Sequence, residues 1–178
     1  MYTIKTNRLI LREINKEDTA TIVNWRSDPQ VYQYFKNPHM LTDKEHLYWF
    51  QNIYLRDTRM ISWIGLTENT PIGVFSIKQV SLEQAEISYL IGRNFQKKGY
   101  AKEAVQSIID WVSLNWKVLF LVAKIHSANI ASQHFIETMG FVRVNDRKEK
   151  SRYNKPTNPQ EHLFICFKKR ISHKEIHK

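Results

Sequence analysis

A single cysteine, Cys166, in 178 residues excludes an internal disulfide and a cysteine-rich zinc site. It lies among apolar residues in Leu163-Phe164-Ile165-Cys166-Phe167, which favours a buried, inert thiol over a nucleophile. The seven histidines nowhere take a metal-ligand spacing such as H-E-x-x-H, so no metal is implied. Long apolar runs are missing as well: none approaches the roughly 20 residues that a membrane helix needs. The opening Met1-Tyr2-Thr3-Ile4-Lys5 runs straight into strand-like sequence without a signal-peptide core, so a cytoplasmic location with no membrane partner is expected. Internal repeats, low-complexity stretches and obvious linkers are absent, and 178 residues suffice for one well-buried core but are short for two. One domain over residues 1–178 is expected, with 170–178 as a basic tail.

Acidic residues are also scarce, 17 against 27 Lys and Arg, leaving a formal charge of +10. That excess favours anionic partners such as phosphates, nucleic acid or an acidic protein face. Part of it, at Lys168, Lys169, Arg170, Lys174 and Lys178, is explained by a solvated end. A basic nucleic-acid-binding module without catalysis is one reading of the charge, but no recognition helix, zinc finger or aromatic RNA-binding signature is visible, so nucleic acid is not an expected partner.

Periodicity supplies the elements. Arg8 to Ile14 alternates as a first strand. Ile22, Val23 and Trp25 belong to a helix that must stop near Ser27-Asp28-Pro29, because a residue preceding proline is pushed away from helical angles. Thr42 and Glu45 form a capping box that opens a second helix, from about Asp43 to Leu55. Met60–Leu66 and Ile72–Val80 read as a hairpin around the turn Glu68-Asn69-Thr70-Pro71, and Glu86–Ile91 as a further strand. Ala101, Ala104, Val105, Ile108 and Val112 make one helical stripe. Val118–Ile125 is apolar enough for a strand covered on both faces. Ala128–Met139 reads as a helix closed by Gly140, and Phe141–Val144 and Leu163–Lys168 as last strands, with a charged loop or flap at Asn145–Gln160. The fold class is α+β: a mixed, mostly antiparallel sheet of about six to seven strands flanked by four helices.

Gln96-Lys97-Lys98-Gly99-Tyr100-Ala101 sits between a strand and a helix. A helix start offers unpaired N–H groups and partial positive charge, Gly99 admits close backbone approach, and Lys97 and Lys98 add charge. Either an anion site or a plain small-residue turn fits. G-x-G-x-x-G and G-x-x-x-x-G-K-[ST] are both absent, which turns the reading away from dinucleotides and nucleoside triphosphates.

Q-x-x-G-x-A after the strand Ala85–Ile91 resembles the acetyl-CoA pyrophosphate loop of the GNAT N-acetyltransferases. Thr6-Asn7-Arg8-Leu9-Ile10-Leu11-Arg12 looks like the opening of their RimJ/RimL branch. Asn129-Ile130-Ala131-Ser132 with Glu137-Thr138-Met139-Gly140-Phe141 resembles the N-x-x-S and E-K-x-G-F segments, Thr138 replacing the usual Lys. The resemblance, over Thr6 to Val144, implies acetyl-CoA as cosubstrate and direct transfer to a primary amine. It implies that backbone amides of Gln96, Lys97, Lys98, Gly99, Tyr100 and Ala101 hold the pyrophosphate, that the strand edge at Tyr89, Leu90 and Ile91 pairs with pantetheine, and that Asn129 bonds it too. The position at which many members carry a tyrosine acid is Ile136 here. Ser132 then takes the role of acid, or is only a small residue near a helix start; Glu86 is the base, or only pairs with a lysine.

Acceptor selectivity in the family comes from the first helices and the last hairpin, here Trp25 to Leu55 and Asn145 to His162. Trp25–Val31 and Glu45–Phe50 are similar to acetyltransferases of UDP-linked 4-amino sugars. Arg26 and His46 are the substrate-binding candidates, with Lys36, His39, Tyr32, Tyr34, Phe35 and Tyr48 available to hold diphosphate or stack a base; Trp25, Trp49 and Phe50 suit helix packing. The expected partner is a small-molecule amine, a nucleotide-linked one ahead of a protein N-terminus. A polycationic acceptor fits poorly with so basic a chain. Monomer and homodimer both stay open.

Overall fold

The structure is a computed structural model and describes residues 2–144 and 163–172. Its strands are β1 (Thr3–Lys5), β2 (Ile10–Glu13), β3 (Met60–Thr67), β4 (Thr70–Gln79), β5 (Gln84–Ile91), β6 (Phe120–His126), β7 (Val142–Arg143) and β8 (Phe164–Arg170). They form one sheet in the order β1-β2-β3-β4-β5-β6-β8-β7. The helices are α1 (Thr19–Arg26), α2 (Pro29–Tyr32), α3 (Asp43–Asn52), α4 (Tyr100–Asn115) and α5 (Ile130–Thr138). The α+β class holds, with eight strands and five helices among the described residues rather than six to seven and four.

Both additions have local causes. Thr3–Lys5 is too short to show a period and becomes a strand by pairing, Ile4 opposite Leu11. Pro29 ends α1 and starts α2: it occupies the first helical turn, where its missing N–H is not needed, and the Asp28 side chain caps by accepting from the Gln30 amide. The basic tail also needs correcting. Strand β8 runs through Arg170 and Ile171 is buried, so Lys168, Lys169 and Arg170 belong to the sheet. Lys174, Lys178 and the expected loop at Asn145–Gln160 lie outside the described residues.

The β3–β4 turn is two residues, Glu68 at φ 48° and Asn69 at φ 65°, shorter than the four-residue turn expected. Two positive φ angles match the right-handed twist of the strands they join. Strand alternation divides the apolar side chains between two cores. Trp63, Phe75, Ile77, Ile87 and Leu121 pack against α4 through Ala104, Val105, Ile108 and Val112. Each such large side chain contributes about 1.5–3 kcal/mol on burial. Across the sheet, Ile14, Ile64 and Tyr54 meet Ile22 of α1 and Phe50 of α3 in a smaller core, where Trp25 and Trp49 also pack.

One interruption of the sheet positions everything that follows. All neighbouring strands are antiparallel except β5 and β6, which run parallel and pair only from Gln84↔Phe120 to Glu86↔Val122. Beyond that point β5 continues to Ile91 against β4 alone, and β6 to His126 against β8 alone. The carboxyl ends of the two strands diverge into a notch.

Candidate active site

The edge of β5 that faces the notch, Ile87 to Ile91, has lost its β6 partner, and an unpaired strand edge is a template for an extended ligand. At its end the chain turns through Gln96, whose amide Nε2 donates to the Ile91 carbonyl at 3.2 Å, and through Lys97 at φ 60° into Gly99 at φ 80°. Gly99 is the N-cap of the 16-residue α4, and no side chain caps that end. The first α4 amides therefore lack a side-chain cap among the described residues, with the helix dipole behind them.

The N-terminal motif braces this loop. Arg8 donates to the Lys98 carbonyl at 3.1 Å, pairs with Glu103 in the first turn of α4 at 2.7 Å, and lies 4.8 Å over the Tyr100 ring. The hydroxyl of Thr6 donates to the same Glu103 carboxylate at 2.6 Å. Thus Thr6 and Arg8, in part through Glu103, hold a loop some 90 residues away in sequence.

On the other wall, the Asn129 side-chain oxygen caps α5 by accepting from the Ser132 amide at 3.1 Å, which leaves its Nδ2 group as the donor. The Ser132 hydroxyl is 2.7 Å from the Tyr89 hydroxyl, which reaches across from β5. Burial pushes the Tyr89 phenol up to about 12, the Ser132 hydrogen bond opposing. Ile136 is fully buried in the main core.

Behind β5, on the α1–α3 side, lies a pocket of about 390 Å³ that shares Tyr89 with the notch. Arg26, Phe35, His46 and Ser88 line it. The Arg26 guanidinium stacks 3.7 Å from the Phe35 ring centroid, burial lowers its pKa, and no carboxylate among the described residues pairs with it. His46 is 4% exposed; its Nδ1 meets the Thr19 hydroxyl at 3.1 Å, while its Nε2 is buried without a partner among the described residues. Burial, chiefly, pulls its pKa down, and the charge of Arg26 acts the same way against Asp43 and Asp18.

Ser62, Ser76 and Ser88 stand in register on β3, β4 and β5, with Ser62 and Ser76 hydroxyls 2.7 Å apart. This polar row across an otherwise apolar floor went unread in the sequence, where three serines in separate strands align only once the hairpin registers are known. Glu86 lies on the Ser88 face of β5, one alternation nearer the β5–β6 junction, with Lys124 Nζ 3.6 Å from its carboxylate and Lys78 opposite on β4. Of the further aromatic candidates, Tyr34 leans on His126 at the end of β6 with ring centroids 5.9 Å apart, whereas Tyr48 is exposed. Among the described residues no cluster of three or more His, Cys, Asp or Glu is placed to hold a metal, and no helix is long and apolar enough to cross a membrane.

Residues 8–142 match the family model described as acetyltransferase (GNAT) domain. The chain belongs to the GNAT acetyltransferase family. The GNAT assignment makes it an N-acetyltransferase with acetyl-CoA as cosubstrate, and the notch, the uncapped α4 amides and the braced loop suit the extended, phosphate-bearing shape of that molecule. It is 30% identical over 148 residues to uncharacterized N-acetyltransferase p20 of Bacillus licheniformis, covering 79% of this chain and 83% of that one. It is 29% identical over 151 residues to uncharacterized protein MJ1062 of Methanocaldococcus jannaschii, covering 80% of this chain but only 30% of that longer protein. The same GNAT fold is found in RimL, a ribosomal L7/L12 alpha-N-protein acetyltransferase in complex with coenzyme A, with a TM-score of 0.79 at 17% identity over 97% of this chain and 100% of that one. It recurs in spermidine N-acetyltransferase from Vibrio cholerae in complex with CoA and spermine, TM-score 0.77 at 18% identity over 94% and 98% of the two chains.

Proposed function

We propose that this acetyltransferase modifies the primary amine of a small molecule that also carries an anionic group, with a nucleotide-linked amino sugar as the acceptor class. The observation that carries this reading is Arg26, a cation in the acceptor-side pocket that no carboxylate among the described residues neutralises. A half-buried cation without a counter-ion is partly desolvated, so the pocket favours a ligand that brings the anion with it. The unpartnered Nε2 of His46 offers a polar contact in the same pocket, and Phe35 and Trp49 offer rings.

On the donor side, the Gln96–Ala101 backbone holds the pyrophosphate, with Lys97 and Lys98 adding charge, and the Tyr89–Ile91 edge and Asn129 Nδ2 hold pantetheine. The amine enters along Ser88 and attacks the thioester carbonyl, while an edge amide of β5 stabilises the oxyanion. Glu86 accepts the amine's proton through water, since Ser88 stands between it and the notch mouth on the same face. Ser132 donates a hydrogen bond to the departing sulfur. Alignment of two bound substrates supplies most of the acceleration, up to about 7–11 kcal/mol.

A dye-detected CoA-release screen across UDP-linked amino sugars, ribosomal-protein N-terminal peptides and polyamines tests the acceptor. Turnover is expected with the amino sugars, with KM for the acceptor raised about 10–100-fold in Arg26→Gln, the range of a lost charge-assisted hydrogen bond. Turnover with peptides alone would make the enzyme an N-terminal acetyltransferase and the amino-sugar reading wrong.

A further inference from the structure

We propose that Tyr89 is a positioning residue for departure of the CoA sulfur: its hydroxyl donates to Ser132 Oγ and so leaves the one Ser132 hydroxyl proton free to point at that sulfur. The proposal rests on the reading of Ser132 as the donor to the leaving group.

A hydroxyl has one proton and two acceptor lone pairs. The Tyr89 oxygen is 2.7 Å from Ser132 Oγ and 3.3 Å from the Ser132 carbonyl. Two proton arrangements follow. If Tyr89 donates to the carbonyl, the Ser132 proton is spent on the phenol and nothing faces the sulfur. If Tyr89 donates to Oγ, it uses the contact of ordinary O–H···O length instead of the long one, and the Ser132 proton is available. The second arrangement also polarises Ser132 as a donor, because successive hydrogen bonds strengthen one another.

Three features hold the pair in place. The Tyr89 ring packs edge-on to Phe135 with centroids 5.0 Å apart. Ser132 is fixed by the Asn129 cap. The two residues face each other across the notch, from β5 and from the start of α5, where backbone pairing between β5 and β6 has ended. Burial disfavours the phenolate, so Tyr89 keeps the proton that it donates to Ser132.

The reaction balances without a proton leaving Tyr89. The N–C bond forms, the C–S bond breaks with its electron pair on sulfur, the amine's proton goes to water or Glu86, and sulfur leaves as a hydrogen-bonded thiolate.

Titration of the bound CoA thiol by thiolate absorbance tests this with CoA alone and needs no acceptor. In the wild-type protein the bound thiol is expected to titrate about one pH unit below free CoA, a roughly tenfold larger thiolate population at a given pH. Ser132→Ala abolishes that shift, Tyr89→Phe removes at least half of it with the dissociation constant of protonated CoA unchanged, and the double variant matches Ser132→Ala. A wild-type curve for Tyr89→Phe alongside a lost shift in Ser132→Ala overturns the positioning role and leaves Ser132 intact. A wild-type curve for Ser132→Ala removes the Ser132 reading and the proposal with it. Additive shifts in the double variant also overturn it, since Tyr89 would then act on sulfur by itself.

Discussion

His46 shows how a single side chain here answers to its surroundings and not to its neighbours in sequence. On α3 it occupies a helical position that faces the sheet, and contact with Thr19, 27 residues earlier, satisfies only one of its nitrogens. Because burial depresses its pKa below the usual 6.5, the fold favours the neutral ring. Its contribution to stability is therefore complete above about pH 6.5 and lost as pH falls through the depressed value, since the unfolded chain binds the proton first. Urea midpoints at pH 7.5 and 5.5 should fall more steeply for the wild type than for His46→Gln; equal slopes would show that His46 does not carry this dependence. His46 and Arg26 became candidates through the resemblance of Trp25–Val31 and Glu45–Phe50 to amino-sugar acetyltransferases. That no carboxylate among the described residues pairs with Arg26 and that Tyr89 meets Ser132 were not legible, because these depend on contacts between elements distant in sequence.

Among the elements, the brace between the N-terminal motif and α4 has separable consequences for binding and catalysis. Arg8 touches loop, ring and carboxylate, yet none of these contacts is with the reacting groups. Arg8→Ala should weaken CoA binding about 3–10-fold, the worth of one or two ordinary hydrogen bonds, while kcat changes less than twofold. Isothermal titration with CoA and steady-state kinetics would separate the two effects. Gly99→Ala acts on the same loop through the backbone: at φ 80° an added Cβ is strained and lies 3.3 Å from Arg8 Nη2. A loss of about 1–2 kcal/mol is expected in thermal denaturation, with weaker CoA binding. The left-handed Gly140, at φ 79°, was readable from residue type and position, whereas Gly99 was read only as admitting close backbone approach. The purpose of Thr6 and Arg8 was not readable, since a motif near the N-terminus does not reveal which loop it supports.

For the whole molecule, CoA bound in the notch as proposed acts as a structural component. A ligand that lies along β5 and contacts both the α4 and α5 starts links walls that share only three paired positions. CoA at 100 times its dissociation constant should add about 2.7 kcal/mol. For a chain of this size that raises Tm by roughly 5–10 °C. With 27 Lys and Arg against 17 acids, the shift should shrink as salt rises from about 0.05 to 0.5 M, because screening weakens the phosphate contacts. A shift insensitive to salt would argue against the basic loop as the phosphate site. The sequence by itself determined most of the elements and their order, all but β1 and α2: apolar periodicity marks each face, Pro29 and Thr42 set helix boundaries, and Gly140 supplies a conformation that other residues resist. Those are short-range effects of sterics and hydrogen bonding. Only the tertiary structure decided where β5 parts from β6, that Ser62, Ser76 and Ser88 form one row, and that Tyr89 crosses to Ser132, 43 positions away. Strand register and the closure of the core set these distances, and neither is encoded in any one segment.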